Sequence, residues 1–481
     1  MATLNIQTQI VILDVVVIDK KGNHVTNLTR DDFTILEDKL PQQIRSFDPP
    51  SAHQIPSGVV VNSSADITKI GDAPVTVLVL DELNTRFEDM SYARNSMVKY
   101  LQSQPAILKQ PTQLLLATNT RFIQLHDYTQ NRDQLILQVQ HHIPEYPNKM
   151  MNGPGGPAAV ERMAQSLASL EQIAQASSGT PGRKNVIWVG NGFPSANLLS
   201  LDEKTAATIE QAVQRCTDML LAARVTMYMI NPTANTTTTI AVQTPDDLAM
   251  AETENGGQPY AGSVQFATLA PLTGGRAFLS RNDINNEITE GIDAGVSYYT
   301  LSYSPTNKSN AAQKYRNIRV IMKDRNLHAT TRDGYYAANI STQNATLAEP
   351  AKQAKAQLQL DISSAVTSTM TYNGLDVVAA KDGADYVLRV KSKGLDWRSL
   401  DSATERAEVS AIAAWYNSKG QVVGHTGREL TSDRATLSNH AQTSDAIFKL
   451  QLSSVPGSAI RLRFVLRDAL NGHIGTVDLR P

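Results

Sequence analysis

A chain of 481 residues exceeds what one hydrophobic core normally organises, so two to three domains are expected. Its 44 Lys and Arg nearly balance 46 Asp and Glu, and no basic run supplies the concentrated positive field that phosphate backbones require, which argues against nucleic acid as a partner. The single cysteine, Cys216, excludes an internal disulfide and cysteine-based metal sites, and no apolar stretch reaches the roughly 18 residues needed to span a membrane.

The opening MATLNIQTQI has neither the basic start nor the long apolar centre of a signal peptide. From Thr8 to Phe47 the pattern is β. QIVILDVVVID is an apolar, β-branched run, KKGN a turn, and HVTNL a resumed strand. LTRDDF offers Thr29 as the N-cap of a short helix with Asp31 and Asp32 in its first turn, and FTILED with PQQIRSF reads as a hairpin. The Pro-, Ser- and Gly-rich segment 49–72 reads as a linker.

Residues 73–295 alternate strands and helices. VTVLVLD is a buried strand, and MSYARNSMVKYLQ places Met90, Ala93, Met97 and Leu101 on one helical face. TQLLLATNT and RFIQLHDY are strands. AAVERMAQSLASLEQIAQA then sets Val160, Met163, Leu167, Leu170 and Ile173 at helical spacing. KNVIWVGNG, the helix KTAATIEQAVQRCTDMLLAA (with Cys216 as a buried small hydrophobe) and VTMYMIN follow. VQFATLAPLTGG, RAFLS and NDINNEITEGIDAG then supply helix, strand and helix. This alternation implies a mostly parallel sheet covered on both faces.

β character returns in VSYYTLSYSPT, YRNIRVIMKD and LHATTRDGYYA. Residues 339–356 read as a polar linker, and 357–481 as a β-sandwich with no helical stripe of length. VVVIDKKGNHV and AAWYNSKGQVV echo one another, which reads as shared hairpin chemistry without a repeat period.

In combination, the blocks VVVIDKKGNHVTNLTRDDFTILEDKLPQQIRSF, VTVLVLDELN, PGRKNVIWVGNGFP, YYTLSYSPTN and TRDGYYA resemble the VWFA-related domain proteins common in acidobacteria. The resemblance covers roughly residues 8–338, and LRDALNGHIGTVDL is similar to the family's C-terminal β region. It implies a doubly wound, von Willebrand factor A-like α/β domain at 73–295, and an exported (secreted or periplasmic) protein. Because β segments flank that domain, it is expected to be inserted in a split β-sandwich made of 8–48 and 296–338, with a C-terminal, Ig-like β-sandwich at 357–481.

In A-type domains that bind a divalent ion, the metal-ion-dependent adhesion site combines D-x-S-x-S after the first strand, a Thr from a second loop and an Asp after a later strand. Hydroxyl and carboxylate oxygens there hold a hard cation. Here the first motif is Asp81-Glu82-Leu83-Asn84-Thr85. Leu83 cannot ligate, Thr85 could replace a serine, Gly156 and Pro157 stand where a threonine would be wanted, and Asn191 replaces the aspartate. The resemblance therefore implies a degenerate ligand-binding site at Asp81, Asn84, Thr85 and Asn191, with Mg²⁺ or Ca²⁺ weakly bound at most and no cofactor. Equally, Asp81 could be a carboxylate that orders loops by accepting backbone N–H groups.

Enzyme signatures are few. Ser96-Met97-Val98-Lys99 fits S-x-x-K but lies within an amphipathic helix, where two polar residues on a solvated face are expected, and its companion appears only as Lys204-Thr205-Ala206. His141-His142-x-x-Glu145 gathers metal-binding side chains, but adjacent helical residues point about 100° apart. Asn282–Glu287 is oxygen-rich and reads as a helix cap. Three functions stay open: a non-catalytic extracytoplasmic module binding a protein partner, a divalent-metal-dependent adhesion protein, and a hydrolase with an unrecognised site. Loops 82–89, 146–157, 190–203 and 232–262 converge at the carboxyl ends of the strands, where open α/β sheets bind ligands.

Overall fold

The computed structural model describes residues 10–119, 121–144, 157–233, 259, 262–279, 283–306, 315–337, 350–383, 385–401, 403–435, 445–452 and 455–480. The chain forms two compact units, 1–171 with 182–343 and 172–181 with 344–481. It is a mixed α/β protein with a mostly parallel six-stranded sheet and several antiparallel sheets.

In the first unit, strands β1 (Val11–Ile18), β2 (Phe33–Glu37), β3 (Leu40–Gln42) and β4 (Ile44–Asp48) precede β5 (Val75–Asp81). Helix α1 (Phe87–Ser103), β6 (Ile107–Ala117), β7 (Phe122–Asn131), α2 (Arg132–His141), α3 (Pro157–Ser177, whose residues from 172 on belong to the second unit), β8 (Lys184–Val189) and β9 (Ala196–Asn197) follow. Next come α4 (Glu203–Ala222), β10 (Val225–Ile230), β11 (Ser263–Val264), α5 (Leu269–Leu272), β12 (Arg276–Phe278) and α6 (Ile284–Val296). The unit closes with β13 (Tyr298–Tyr303), β14 (Tyr315–Met322), β15 (His328–Thr330) and β16 (Gly334–Tyr336).

Two antiparallel four-stranded sheets, β15-β1-β13-β4 and β16-β14-β2-β3, each combine strands from before and after the parallel sheet. Leu13 pairs with Leu301 and Ile35 with Val320, and alternate residues such as Leu13, Val15, Ile35, Tyr299 and Leu301 meet in one core. Period-two alternation sends every second side chain to that core, which fixes the register. Two expectations need correction. His24 makes only an isolated bridge to Ile18, so HVTNL does not resume the strand. Residues 49–72 are not a free linker: they form two 3₁₀ segments and bury His53, Val61, Ile67 and Ile70. Their anchors are aperiodic. His53 stacks on Tyr298 with ring centroids 4.5 Å apart, and the Val61 N–H donates to Gln130 Oε1 at 2.9 Å.

The parallel sheet runs β12-β10-β8-β5-β6-β7, with only β7 antiparallel to its neighbour. Counted within the sheet, the order is 6-5-4-1-2-3, which puts the switch between the first and fourth strands at the β5/β8 seam. Both strands are buried throughout because both faces are covered. On one face Leu78, Leu80, Ile187 and Val189 pack with Met90, Met97 and Leu101 of α1 and with α2 and α6. In α3, Met163, Leu167 and Leu170 are buried as their spacing predicts, whereas Val160 is 53% exposed. Cys216 is buried on α4, its Sγ 3.8 Å from the Leu167 carbonyl, and burial raises its thiol well above the ordinary value.

Below the amino ends of β8 and β10, Arg224 donates to Asp14 Oδ1 on β1 at 2.6 Å, and the Thr300 hydroxyl donates to the same oxygen at 3.0 Å. Lys184, buried beside them, has its ammonium pushed down to about 7, by burial first and then by Arg224.

The second unit contains α7 (Pro350–Thr367), β17 (Val377–Asp382), β18 (Asp385–Val390), β19 (Arg398–Ser399), β20 (Thr404–Tyr416), β21 (Val422–Ala435), β22 (Ala446–Gln451), β23 (Arg461–Asp468) and β24 (Ile474–Leu479). Sheet β17-β18-β22 and sheet β19-β20-β23-β24, with β21 added on β20, share a core of Leu388, Phe448, Val409, Trp415, Phe464 and neighbours. Helix α7 corrects the expected linker. Among its described side chains the buried ones are Asp361 and Ala365 rather than an apolar stripe, and Asp361 is held by Arg467 at 2.8 Å, Gln357 at 2.6 Å and Gln175 at 2.8 Å. Among the described residues, no helix is long and apolar enough to cross a membrane.

Candidate functional site

Asp81 ends β5 at the switch seam, fully buried. Its neighbour β8 leads into Gly190, Asn191 and Gly192, so the pairing Leu80↔Val189 brings the two loops together. Asp81 Oδ1 accepts from the Asn84 backbone N–H at 3.0 Å and from Asn84 Nδ2 at 3.2 Å. Oδ2 accepts from the Trp188 indole at 3.1 Å, the Gly192 N–H at 2.9 Å and, more distantly, Asn84 Nδ2 at 3.3 Å. A carboxylate has about four lone-pair sites, so this one is filled by N–H donors. Burial pushes the Asp81 carboxyl above its ordinary value, and these hydrogen bonds offset only part of that.

The other expected site residues also face protein groups. Thr85 Oγ1 accepts from the Asn191 N–H at 3.1 Å, joining the two loops a second time. Asn84 sends Nδ2 to Asp81 and to Ser166 Oγ at 3.0 Å. The Asn191 carboxamide, expected to offer a neutral carbonyl beside Asp81, instead meets the Thr233 hydroxyl at 3.0 Å, which also lies 3.2 Å from Asp89 Oδ2. Leu83 is buried, as a side chain that cannot ligate would be. Gly156, and with it nearly all of loops 146–157 and 232–262, lies outside the described residues. Among the described residues, no three His, Cys, Asp or Glu side chains gather as a metal group.

Two glycines permit the close approach. A Cβ on Gly190 would lie 2.3 Å from Asp81 Cβ and 2.7 Å from Thr85 Oγ1. Gly192 adopts φ +63°, and a Cβ there would meet the Phe266 ring at 2.1 Å.

Above this hub lies a cleft of about 370 Å³, within the size range of small-ligand sites. Phe266, 5.0 Å from Trp188 and 5.2 Å edge-on from Phe193 between ring centroids, lines it with Phe193 and Met229. The polar lining is rich in carboxamides: Asn84, Asn191, Asn231 and Gln265. Sequence reasoning missed Trp188, Gly192, Ser166 and Phe266, although Trp188 and Gly192 flank Asn191 in WVGNGFP. Nothing in the linear pattern links Phe266 to that loop.

The remaining candidates do not assemble. Ser96 is buried on α1 while Lys99 is exposed, so the pair does not share a solvated face as expected: position 96 falls on the inward stripe with Met97 and Tyr100. His142 bonds Glu82 at 2.9 Å, His141 faces solvent, and Glu145 lies outside the described residues. Asp283 is the N-cap of α6 and bonds Asn286, while Asn282 is not described. No protein-family model matches this chain, and no curated protein matches it.

Proposed function

We propose that the parallel-sheet lobe is a von Willebrand factor A-like domain inserted in a split β-sandwich. On this reading the chain is a non-catalytic, extracytoplasmic binding protein of the adhesion type, which takes a protein partner at the cleft without a metal. The extracytoplasmic placement rests on the sequence resemblance alone. One observation carries the metal-free reading: the Asp81 carboxylate, at the position where an adhesion site would hold its ion, spends its lone pairs on Trp188, Asn84 and Gly192. A cation would have to displace those donors and leave them buried without partners, at about 1–3 kcal/mol each. The cleft at the switch point supports the ligand position.

The test is capture of a partner from a native envelope fraction by immobilised protein in EDTA. Wild type should retain a specific protein, and Ser195→Trp, which crowds the cleft from an exposed lining position, should lose it. Capture that appears only with added Mg²⁺, or turnover in a hydrolase substrate panel, would contradict the proposal.

A further inference from the structure

The polar groups of the cleft indicate which ligand chemistry it accepts. Asn84 is 5% exposed, and its carboxamide orientation is dictated by chemistry: the Asp81 carboxylate only accepts, so Nδ2 must face it. Its Oδ1, on the opposite side, is buried and has no hydrogen-bond partner among the described residues. An unpaired buried acceptor in a cleft wall is a place where an incoming N–H is favoured, because it relieves a desolvation cost already present. The Thr233 hydroxyl lies 3.0 Å from the Asn191 carboxamide and 3.2 Å from Asp89 Oδ2; its one proton goes to the carboxylate, which only accepts, so Asn191 turns Nδ2 to Thr233. Asn231 Oδ1 accepts from the Thr233 N–H at 2.9 Å, which leaves its Nδ2 as the donor available to a ligand in the same cleft. The cleft therefore presents the Asn84 acceptor and the Asn231 donor beside the apolar surface of Phe193, Phe266 and Met229, with Arg162 as a cation and no carboxylate among its described lining residues.

A group that offers one donor and one acceptor next to an apolar body is an amide, whereas a carboxylate would face Arg162 but leave Asn84 Oδ1 without a donor. We infer that the cleft binds an uncharged amide of a peptide, either a backbone peptide group or an Asn/Gln side chain, with its N–H donating to Asn84 Oδ1 and its C=O accepting from Asn231 Nδ2. This inference rests on the metal-free reading of the site and names what that site grips.

The test uses fragments on the full chain in EDTA, followed by ligand-observed NMR. Benzamide stands for a primary carboxamide and N-methylbenzamide for a backbone-type amide. Acetophenone keeps the ring and carbonyl without the N–H, and benzoate replaces the amide with a charge. At least one amide should bind with a dissociation constant of about millimolar, the range ligand efficiency allows for a fragment of this size. Acetophenone and benzoate should bind at least about 10-fold more weakly, as loss of one hydrogen bond to a buried group implies. Which amide binds identifies the source. Asn231→Leu, at a half-buried position, should weaken the amides and acetophenone by a similar factor, since both place a carbonyl on Asn231 Nδ2, with thermal unfolding confirming that it folds. Equal binding of acetophenone, benzoate at least as tight as the amides (which would reassign the cleft to a carboxylate beside Arg162), amide affinity unchanged in Asn231→Leu, or no binding at the solubility limit would each overturn the inference. If amides fail while partner capture in EDTA persists, only this inference falls. Capture that requires Mg²⁺ removes the underlying reading, whatever the fragments do.

Discussion

Two aspartates, Asp81 fully buried and Asp14 largely so, serve the parallel sheet from opposite ends, and they are compensated differently. At the amino ends of β8 and β10, Asp14 faces Arg224 at 2.6 Å. Burial alone would raise its carboxyl, but the Arg224 and Arg183 guanidiniums and the Thr300 hydroxyl outweigh burial and hold it below the ordinary value. At the carboxyl end of β5, Asp81 meets only neutral donors, and its carboxyl lies above the ordinary value. A buried charge opposed by a charge ties elements together firmly and is costly to halve. A buried charge held by backbone and indole N–H groups fixes the course of loops while its own ionisation stays disfavoured. The amino end is built as a joint between the β lobe and the sheet, whereas the carboxyl end organises a loop floor under a cleft.

The comparison can be broken first at the joint. Arg224→Met leaves Asp14 largely buried without its cation and should cost about 3 kcal/mol in denaturant unfolding. A loss below about 1 kcal/mol, the level of a surface pair, would mean the joint is solvated. At the other end, Asp81→Ala orphans the Trp188 indole and the Asn84 and Gly192 N–H groups, and should cost about 2 kcal/mol after relaxation. Asp81→Asn should not rescue it, because its amide would confront one of those donors. Unchanged stability in both variants would remove Asp81 as a loop organiser.

Protonation sharpens the contrast. Lys184, near 7 when folded against an ordinary 10.5, binds its proton more tightly in the unfolded chain. Its contribution to stability is therefore absent below about 7, grows as pH rises from 7 toward 10.5 and is full above that. Lys184→Met should flatten this rise, read as unfolding free energy against pH, and a parallel pair of curves would contradict it. The smallest effect is the opposed titration of the two aspartates. Asp14, with its lowered value, contributes stability that is present above the unfolded value of 3.8 and is lost as pH falls through the folded one. Asp81, with its raised value, favours the fold most below 3.8, and that contribution is lost as pH rises through its folded value. Carboxyl carbon NMR should place the Asp14 midpoint below 3.8 and that of Asp81 above it.

What was legible in the sequence was what is periodic or stereochemical. VTVLVLD and KNVIWV announced buried strands because both faces of a covered sheet need apolar side chains. The echo between DKKGN and NSKGQ reflects one turn. Asp19 and Asn417 each accept from the N–H groups two and four residues on, and Gly22 and Gly420 take positive φ. Helix α7 was missed because Asp361 and Ala365 make no apolar stripe, and their partners lie far along the chain. The packing of 49–72 was missed for the same reason, since His53 and Val61 are anchored by Tyr298 and Gln130. At the site, Asp81 and Asn191 stood out as strand-end polar residues. Whether their oxygens face outward to an ion or inward to N–H donors depends on Trp188 and Gly192, which acquire that role only when β5 and β8 pair.

Thermal unfolding with millimolar Mg²⁺, Mn²⁺ or Ca²⁺, set beside the same measurement in EDTA, tests most directly whether Asp81 is a loop organiser rather than an ion ligand. An ion bound to the native state with micromolar affinity would add about 4 kcal/mol by mass action, enough to raise the melting temperature by several degrees. With the carboxylate already occupied by N–H donors, wild type should melt at the same temperature in every metal and in EDTA, and Asp81→Ala should melt lower by the same amount in all of them. A metal-dependent rise in wild type that vanishes in Asp81→Ala would contradict the account.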